Sequence, residues 1–398
     1  MNLLKGLQVL DLADEKASFC SKLLADLGAR VIKIERPGGD RSRKKGPFLE
    51  GSPNPEKSFF FFHNNTNKLG ITLNLEHEDG KEIFFKLLQK TDIVVETFPP
   101  GYLRQKGLGF DVLCFENIRL IQASVTGFGE GGPRSQYKSC DLAASAFGGQ
   151  MYVTGSPSTS PLKPFGDQSY YTASLFAGVN ILLALRKRAR TGKGEHIDIS
   201  LQEAVVSTLD HVMVRYFYEK TIAKRQGGIY WNHSFFILPC RDGHILLAPF
   251  QQWETLVEWM KNEGMAEDLA EKKYSEEEYR LTSIDHILQV LEQWTRTHTA
   301  RELFESGQFI RFPWAPIYSL KEVLENPQLK ARSFFIDVKH PEINKSISYS
   351  GSPYKFSHAS EGRWKRAPLI GEDNVAIYQT ELGLDDKEVQ RLSSLGVI

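Results

Sequence analysis

Short apolar segments alternate with amphipathic ones in the N-terminal half of the chain, and this alternation constrains the fold more than any other feature of the sequence. Residues 19–27 and 80–89 carry apolar side chains at helical spacing. Runs of strand length lie around them, at residues 7–12, 29–35, 71–75, 92–98 and 119–125. Strands that are separated by helices pair in parallel. The pattern therefore predicts an α/β fold with an open, Rossmann-like parallel sheet.

Length and composition predict more than one domain. The chain has 398 residues, beyond the roughly 250 to 300 at which a single core stops growing. Pro313, Pro316 and Pro327 favour an extended segment after the helices of the second domain, because proline interrupts helices and central strands. The predicted parts are a large α/β domain over residues 1–215, a smaller α+β domain over 220–312, and a segment over 313–398 that returns to the large domain.

Charge and cysteine usage exclude several function classes. The 49 basic and 49 acidic side chains balance, so we expect no nucleic acid and no membrane as partner. The first residues lead directly into a strand without an apolar signal core, which predicts a cytoplasmic protein. The charged run at residues 40–45 is interpreted as a solvated surface loop, with contact to a ligand as its alternative. No paired spacing connects the cysteines, which predicts neither disulfides nor a metal site: Cys20, Cys114, Cys140 and Cys240.

Cofactor motifs are a separate question. The segment that follows the first predicted strand, residues 14–18, reads Asp-Glu-Lys-Ala-Ser and lacks the G-x-G-x-x-G fingerprint of dinucleotide-binding folds. We therefore expect no nicotinamide or flavin cofactor.

Four motifs, in order along the chain, resemble those of a known family. They are LGARVIKIERPGGD at residues 27–40, Asn67-Lys68 before residues 71–75, TGKGEHIDISLQEA at residues 191–204, and APLIGE at residues 367–372. Together they resemble the class III CoA-transferases (the CaiB/BaiF family, with formyl-CoA and carnitine CoA-transferase-like members), which move coenzyme A between carboxylates. The resemblance covers nearly the whole chain. It implies an intertwined dimer and an acyl-CoA and a carboxylate as substrates.

The active-site loop of that family resembles residues 153–161, but its reactive aspartate is missing. The family loop usually reads T-G-x-P-D-G-P-P, and Ser158 occupies the place of the aspartate. The resemblance implies that this aspartate attacks the thioester and forms an anhydride, then an enzyme-bound CoA thioester. A serine ester is too stable for such a relay, and serine needs a neighbouring base. We predict either a subunit that pairs with a homologous chain retaining the aspartate, or a chain that uses another carboxylate.

Asp141 and Asp167 are the candidate replacement carboxylates. Asp141 begins a predicted helix, so an N-terminal helix contact is its alternative role. Asp167 precedes a long predicted helix and has the same alternative. Both positions resemble catalytic acids of related racemases, but Cys140 stands where those enzymes have a histidine. An acyl-CoA racemase or isomerase, and a non-catalytic CoA-binding protein, are therefore the alternatives to the transferase.

Several residues are candidates for contact with CoA. Arg36 offers a planar fork for phosphate or a face for adenine, and a surface arginine in a turn is its alternative. Residues 96–101 follow a strand end, where α/β sheets bind ligands, and they resemble the family segment that lines the nucleotide. The full predicted set is Arg36, Lys68, Thr97, Phe98, Arg104 and Lys106; for its lysines and for Arg104 the alternative is an ordinary solvated cation.

An aromatic segment after two glycines resembles the family's mobile loop over the acyl group. Gly227, Gly228, Tyr230 and Trp231 are the predicted acyl pocket. Packing inside the core of the smaller domain is the alternative role for these aromatic side chains.

Overall fold

The chain forms two compact units. The computed structural model describes residues 2–230, 232–358, 362 and 364–398. The first unit consists of Met1–Met151, Lys163–Thr221 and Ser333–Ile398, and the second of Tyr152–Leu162 and Ile222–Arg332. Residues 152–162, which the sequence analysis assigned to the large domain, thus cluster with the second unit.

Eleven strands are described, six of them in one sheet. They are β1 Gln8–Leu12, β2 Arg30–Glu35, β3 Leu69–Thr72, β4 Ile93–Glu96, β5 Ile121–Thr126, β6 Glu195–Ser200, β7 Phe236–Cys240, β8 Gly243–Leu247, β9 Ala315–Pro316, β10 Phe335–His340 and β11 Lys345–Ser350. The strand predicted at residues 71–75 begins two residues earlier and ends at Thr72. Leu73 and Leu75 are apolar because they remain buried after the chain leaves the sheet.

The α-helices follow the predicted alternation with the strands in the first unit. They are α1 Ser18–Asp26, α2 Phe59–Asn64, α3 Glu78–Leu88, α4 Tyr102–Gln105, α5 Phe110–Glu116, α6 Asp141–Phe147, α7 Gln150–Val153, α8 Gln168–Thr191, α9 Leu201–Val206, α10 Asp210–Glu219, α11 Trp253–Asn262, α12 Glu277–Thr282, α13 Ile284–Thr295, α14 Ala300–Phe309, α15 Leu320–Glu325, α16 Pro327–Ala331 and α17 Asp386–Ser394. Among the described residues, no helix is both long and apolar enough to cross a membrane.

The main sheet confirms the predicted parallel α/β architecture. Its order is β3-β2-β1-β4-β5-β6, and every neighbouring pair is parallel. The strand order reverses direction between β1 and β4, where Val9 pairs with Ile93 and Leu12 with Glu96. Loops that follow such neighbouring strands diverge at the carboxyl edge and leave a crevice between them. The fold thus predicts a ligand site beside the ends of β1 and β4.

Two apolar layers hold this sheet between helices. Val9 points to the layer formed with α1 and α8, and the next residue, Leu10, points to the opposite layer formed with α3 and α17. Successive strand side chains alternate between the two faces. Because both faces are covered, the strands are almost continuously apolar. Each fully buried aliphatic side chain stabilises the fold by about 1.5–3 kcal/mol relative to exposure.

The second unit is an antiparallel sheet with helices on it. The order of its sheet is β7-β8-β9, and α11 to α14 supply the helical layer. Its core includes Trp253, Trp294 and Trp314, which are almost fully buried. This agrees with the smaller α+β arrangement expected from the sequence.

The segment after Pro313 is not extended as predicted. It contains α15 and α16, and Pro327 begins α16 instead of interrupting it. Proline is tolerated in the first turn of a helix because no helical hydrogen bond needs its N–H there. Residues from Ser333 onward then rejoin the first unit.

Candidate functional site

A large cavity lies at the carboxyl edge of the main sheet, where the strand order reverses. Its volume is about 1160 Å³, and we call it the edge cavity. Leu12 at the end of β1, Arg36 after β2, Leu73 after β3 and Thr97 after β4 all line it. Cavities of roughly 300–1,000 Å³ hold small ligands and cofactors. The edge cavity is therefore large enough for a ligand of nucleotide size and more.

The wall of the edge cavity combines cations with aromatic and apolar groups. Phe98 and Tyr102 stack with their ring centroids 4.8 Å apart, and both line the cavity. Stacked rings offer a flat apolar surface, and ammonium and guanidinium groups bind phosphates. The lining cations are Lys16, Arg36, Arg41, Lys44 and Lys138.

The structure brings three of the six predicted CoA contacts to this cavity. Arg36, Thr97 and Phe98 line it. Lys106 lies beside it, because its Nζ is 4.0 Å from Glu76 and 5.6 Å from the centre of the Tyr102 ring. Arg104 is exposed on α4 and does not line the cavity.

Lys68 is placed in the protein interior instead. Its side chain is fully buried, and its ammonium lies 2.8 Å from Asp11 Oδ2. The same Nζ is within hydrogen-bond distance of Ser21 Oγ, Asn65 Oδ1 and the Ser18 carbonyl. An ammonium has three donors, so this one has none left for a phosphate. The interpretation of Lys68 as a surface cation for CoA does not fit its position.

A second, smaller cavity of the first unit brings both candidate carboxylates together. Its volume is about 400 Å³, and we call it the acid cavity. Asp141 and Asp167 line it, as do Lys45 and Lys163. Arg41 and Lys44 line both cavities, so the two cavities adjoin at these side chains.

Each of the two carboxylates is paired with a lysine. Lys163 Nζ lies 2.7 Å from Asp141 Oδ2, and Lys45 Nζ lies 2.5 Å from Asp167 Oδ2. Asp141 is buried, and its other oxygen, Oδ1, accepts hydrogen bonds from the backbone N–H and the hydroxyl of Ser169. Asp141 thus caps the start of α8 rather than its own helix. Asp167 is the N-cap residue of α8, but its side chain makes no capping hydrogen bond.

The predicted nucleophile loop and the predicted glycine pair meet inside the second unit. The backbone N–H of Gly227 donates to the Gly155 carbonyl at 2.9 Å, and Arg225 Nε donates to the Ser156 carbonyl at 3.3 Å. Ser158 is exposed, and its hydroxyl lies 3.0 Å from Ser156 Oγ.

The remaining predicted acyl-pocket residues follow the glycine pair in the second unit. The ring of Tyr230 is half-exposed and meets Phe235 edge-on at 6.0 Å. The carbonyl of Gly228 accepts a hydrogen bond from the Ile237 N–H at 2.9 Å. Trp231, also predicted for the acyl pocket, lies outside the described residues.

Sequence reasoning missed most of the cations around the two cavities. Lys16 follows β1, and Lys138 lies in the long loop after β5, both at the carboxyl edge of the sheet. Their positions after predicted strands were the available signal. Arg41, Lys44 and Lys45 belong to the run that was interpreted as solvated, and Lys163 reaches the acid cavity only through the tertiary fold.

The comparisons with known proteins decide the family. The model of "CoA-transferase family III" matches residues 4–374 of the chain. This chain belongs to CoA-transferase family III. A crystal structure from Brucella suis, described as that of a CAIB/BAIF family protein, superimposes with a TM-score of 0.83 at 30% identity and covers 95% of this chain and 98% of that one.

Curated relatives of this family III chain carry transferase names. Succinyl-CoA:(R)-benzylsuccinate CoA-transferase subunit BbsE of Thauera aromatica is 32% identical over 98% of this chain and 97% of its own length. Succinyl-CoA:mesaconate CoA-transferase of Haloarcula hispanica is 32% identical over 95% and 96% of the two chains. The resemblance found in the sequence motifs is thus confirmed over nearly the full length.

One buried carboxyl group of this family III chain stands directly behind the edge cavity. Glu96 ends β4, is 3% exposed, and accepts a hydrogen bond from the backbone N–H of Phe98 at 2.7 Å. Burial raises the pKa of Glu96 from 4.5 to about 7, although hydrogen bonds from Ser124 and Phe98 lower it. The proton on this group therefore changes within the physiological range, beside two residues that line the cavity.

Glu96→Gln should remove a pH dependence from the stability of the first unit. Folded Glu96 keeps its proton up to a pH of about 7 and the unfolded chain loses it near 4.5, so the stability falls as pH rises between these values. At about 1.4 kcal/mol per pKa unit, the natural chain loses on the order of 3 kcal/mol by pH 8. Thermal unfolding at pH 4.5 and pH 8 measures this.

Glutamine is neutral and keeps the acceptor for the Phe98 N–H. We therefore expect the Glu96→Gln variant to be more stable than the natural chain at pH 8, and equally stable at pH 4.5. Glu82→Gln, at an exposed position of α3, is the matched control and should leave the pH profile unchanged. Equal stability of the Glu96→Gln variant and the natural chain at pH 8 would contradict the prediction.

Proposed function

We propose that this chain is the nucleophile-lacking subunit of a heteromeric family III CoA-transferase, which moves CoA between an acyl-CoA and a carboxylic acid. The observation that carries the proposal is Ser158 at the place of the aspartate in a loop that resembles the family's nucleophile loop. In the complex, a homologous subunit supplies the reactive aspartate. The chain uses no cofactor besides the CoA thioester that is its substrate.

The edge cavity supports binding of the CoA moiety. CoA carries a pyrophosphate and a 3′-phosphate on an adenosine, and the cavity offers five cations beside a stacked aromatic pair. Arg36 supplies the planar fork that suits phosphate or adenine. Asp14, Glu35, Asp40 and Glu76 also line the cavity, and Asp14 pairs with Lys16 at 2.5 Å. The lining cations outside that pair supply the attraction for the anion.

The chemistry available at Ser158 supports the loss of the nucleophile. The hydrogen bonds described for its side chain and its N–H go to Ser156 Oγ, at 3.0 and 3.4 Å. A serine hydroxyl attacks a thioester only when a base removes its proton, and another hydroxyl is no such base.

The contacts of the two remaining carboxylates point the same way. Asp141 accepts two hydrogen bonds from Ser169 through Oδ1, while its buried Oδ2 accepts no hydrogen bond and lies 2.7 Å from the Lys163 ammonium. Asp167 pairs with Lys45 through one oxygen and keeps a side chain that is 22% exposed. An ion-paired carboxylate is a weaker nucleophile, and a racemase would need two free bases. These contacts favour the transferase subunit over the racemase.

Two apolar helix faces of the first unit support a protein partner. None of the ten residues of α10, all of them described, is buried. Large apolar surfaces on a single chain mark interaction sites, and the relative BbsE is itself named as a subunit. We propose that a homologous transferase chain covers this surface: Leu175, Phe176, Val179, Leu182 and Leu183 of α8 with Met213, Val214, Tyr216, Phe217 and Tyr218 of α10.

Exchange of labelled succinate into succinyl-CoA tests the proposal without knowledge of the natural acceptor. The full-length chain is purified from its native source, the companion chain is identified by mass, and exchange is measured for each chain alone and for both together. We expect background exchange from this chain alone and at least about 10³-fold more from the pair, because loss of a nucleophile costs enzymes that much or more.

The same experiment includes a covalent readout. Acyl-CoA trapping followed by peptide mass analysis should place the CoA adduct on the companion chain. Full exchange by this chain alone, or an acyl or CoA adduct on Ser158, would refute the proposal.

A further inference from the structure

We propose that Arg43 is a positioning residue that fixes residues 36–45 as the cationic wall between the edge cavity and the acid cavity. The inference rests on the proposed function in one respect, since it names CoA as the ligand of that wall. The sequence analysis had assigned the charged run at residues 40–45 to solvated surface. Arg43 is instead 1% exposed, although its neighbours Arg41 and Lys44 line both cavities.

The guanidinium of Arg43 uses all of its nitrogen atoms. Nε and Nη2 donate to the two carboxylate oxygens of Glu35 at 2.6 and 2.7 Å, which is the bidentate geometry of a strong pair. Nη1 donates to Glu56 at 2.7 Å, and Nη2 also donates to the Pro368 carbonyl at 2.9 Å. The guanidinium carbon lies 3.7 Å from the centre of the Phe61 ring. One side chain thus holds segments that lie far apart in the sequence.

The short helix that contains Arg43 determines which way the neighbouring cationic side chains point. Arg41–Lys44 is a 3-10 helix, in which side chains three positions apart lie on the same face. Arg41 and Lys44 therefore share one face, which lines the cavities, and Arg43 projects into the interior. Glu35 Oε2 also accepts a hydrogen bond from the backbone N–H of Asp40 at 2.8 Å. The same carboxylate therefore binds both Asp40, which precedes the 3-10 helix, and Arg43 within it.

The motif at residues 367–372 gains a role from this arrangement. The Pro368 carbonyl receives Arg43, and the backbone N–H of Ile370 donates to Glu56 Oε1 at 2.9 Å. A Cβ at Gly39 would lie 2.9 Å from Ile370 Cδ1, which is closer than carbon atoms normally approach. The backbone of residues 36–45 therefore packs directly against the Ile370 side chain. The C-terminal segment supports the wall from behind, through Arg43 and Glu56.

Arg43→Lys tests the inference, because lysine keeps the charge but not the bidentate fork. CoA binding to the full chain, with its companion chain if one co-purifies, is measured by titration calorimetry at several salt concentrations. We expect about tenfold weaker binding at an unchanged number of sites, since small misplacements of contact groups have effects of that order. A role in folding alone would lower the number of sites and leave the affinity of the folded fraction unchanged.

The salt dependence separates positioning from direct contact. Arg41→Met removes a cation from the wall and should weaken binding and also flatten its salt dependence. Arg43→Lys should weaken binding and keep the salt dependence of the natural chain. Arg391→Lys, at an exposed ion pair of the first unit, is the matched control and should change neither quantity. Unchanged affinity in Arg43→Lys would overturn the inference.

Amide hydrogen exchange keeps the inference testable if the natural chain does not bind CoA. That result would count against the proposed function, whereas the positioning role predicts faster exchange in residues 36–45 and 367–372 of the Arg43→Lys variant. Unchanged exchange in these segments would refute the positioning role. If the Arg43→Lys variant does not fold, Glu56→Gln serves instead, because it removes only one partner of Arg43. We expect about threefold weaker CoA binding, or faster exchange in these segments. If the Glu56→Gln variant shows neither change, the positioning role is refuted.

Discussion

Replacing Ser158 with aspartate should allow the purified chain to trap coenzyme A as a covalent thioester, which we expect the natural chain not to form. The new carboxylate attacks the acyl-CoA carbonyl and the CoA thiolate leaves, which gives a mixed anhydride. The thiolate then attacks the aspartyl carbonyl and releases the acyl group as its carboxylate. We expect at least about 10²-fold more covalent CoA than on the natural chain, because the loss of a nucleophile costs enzymes about 10⁴-fold or more.

Intact-protein mass spectrometry after incubation with succinyl-CoA measures this gain. Ser158→Asn is the matched control, since it has the shape of aspartate without its nucleophilic carboxylate, and it should remain at the level of the natural chain. The position of Ser158 allows the substitution because the residue is exposed. If the aspartate variant carries no more CoA than the asparagine variant, position 158 is not the nucleophile position.

Lys68→Met should destabilise the first unit by about 3–5 kcal/mol, because it removes the hydrogen-bonded cation of the buried Asp11 carboxylate. Asp11 is completely buried and accepts hydrogen bonds from Lys68, the Ser21 hydroxyl and the Ala13 N–H. Burial alone would raise the pKa of Asp11, but Lys33 and Lys68 outweigh it and hold the pKa below its ordinary value. Methionine fills the space of lysine and supplies none of this charge.

Hydrogen exchange of the peptides that contain β1 and β2 during urea unfolding measures this loss in the first unit. The tryptophan signal is unsuitable, since five of the six tryptophans lie at positions 231–314, within the sequence range of the second unit. Lys44→Met is the matched control at an exposed lysine and should change the stability by no more than about 0.5 kcal/mol. A Lys68→Met variant as stable as this control would show that the Lys68–Asp11 pair does not stabilise the fold.

Residues that the sequence singled out line both cavities: three of the six predicted CoA contacts line the edge cavity, and both candidate carboxylates line the acid cavity. Arg36, Thr97 and Phe98 line the edge cavity because each lies just after the end of a strand, β2 or β4. Parallel strands bring the residues after their ends to one edge, so strand position alone places such residues. Lys68 precedes a strand instead, and its charge gave no sign that it would be buried.

The sequence by itself determined the alternation of helices and strands in the N-terminal half, the parallel sheet and the family, because periods of 2 and 3.6 residues and short motifs are local properties of the chain. Only the tertiary structure decided which charges pair. Lys45 pairs with Asp167 across 122 positions, and Arg391 pairs with Asp79 across 312. Such pairs form only when the packed layers bring two surfaces within a few ångströms of each other. The sequence around a charged residue does not indicate which distant residue it will pair with.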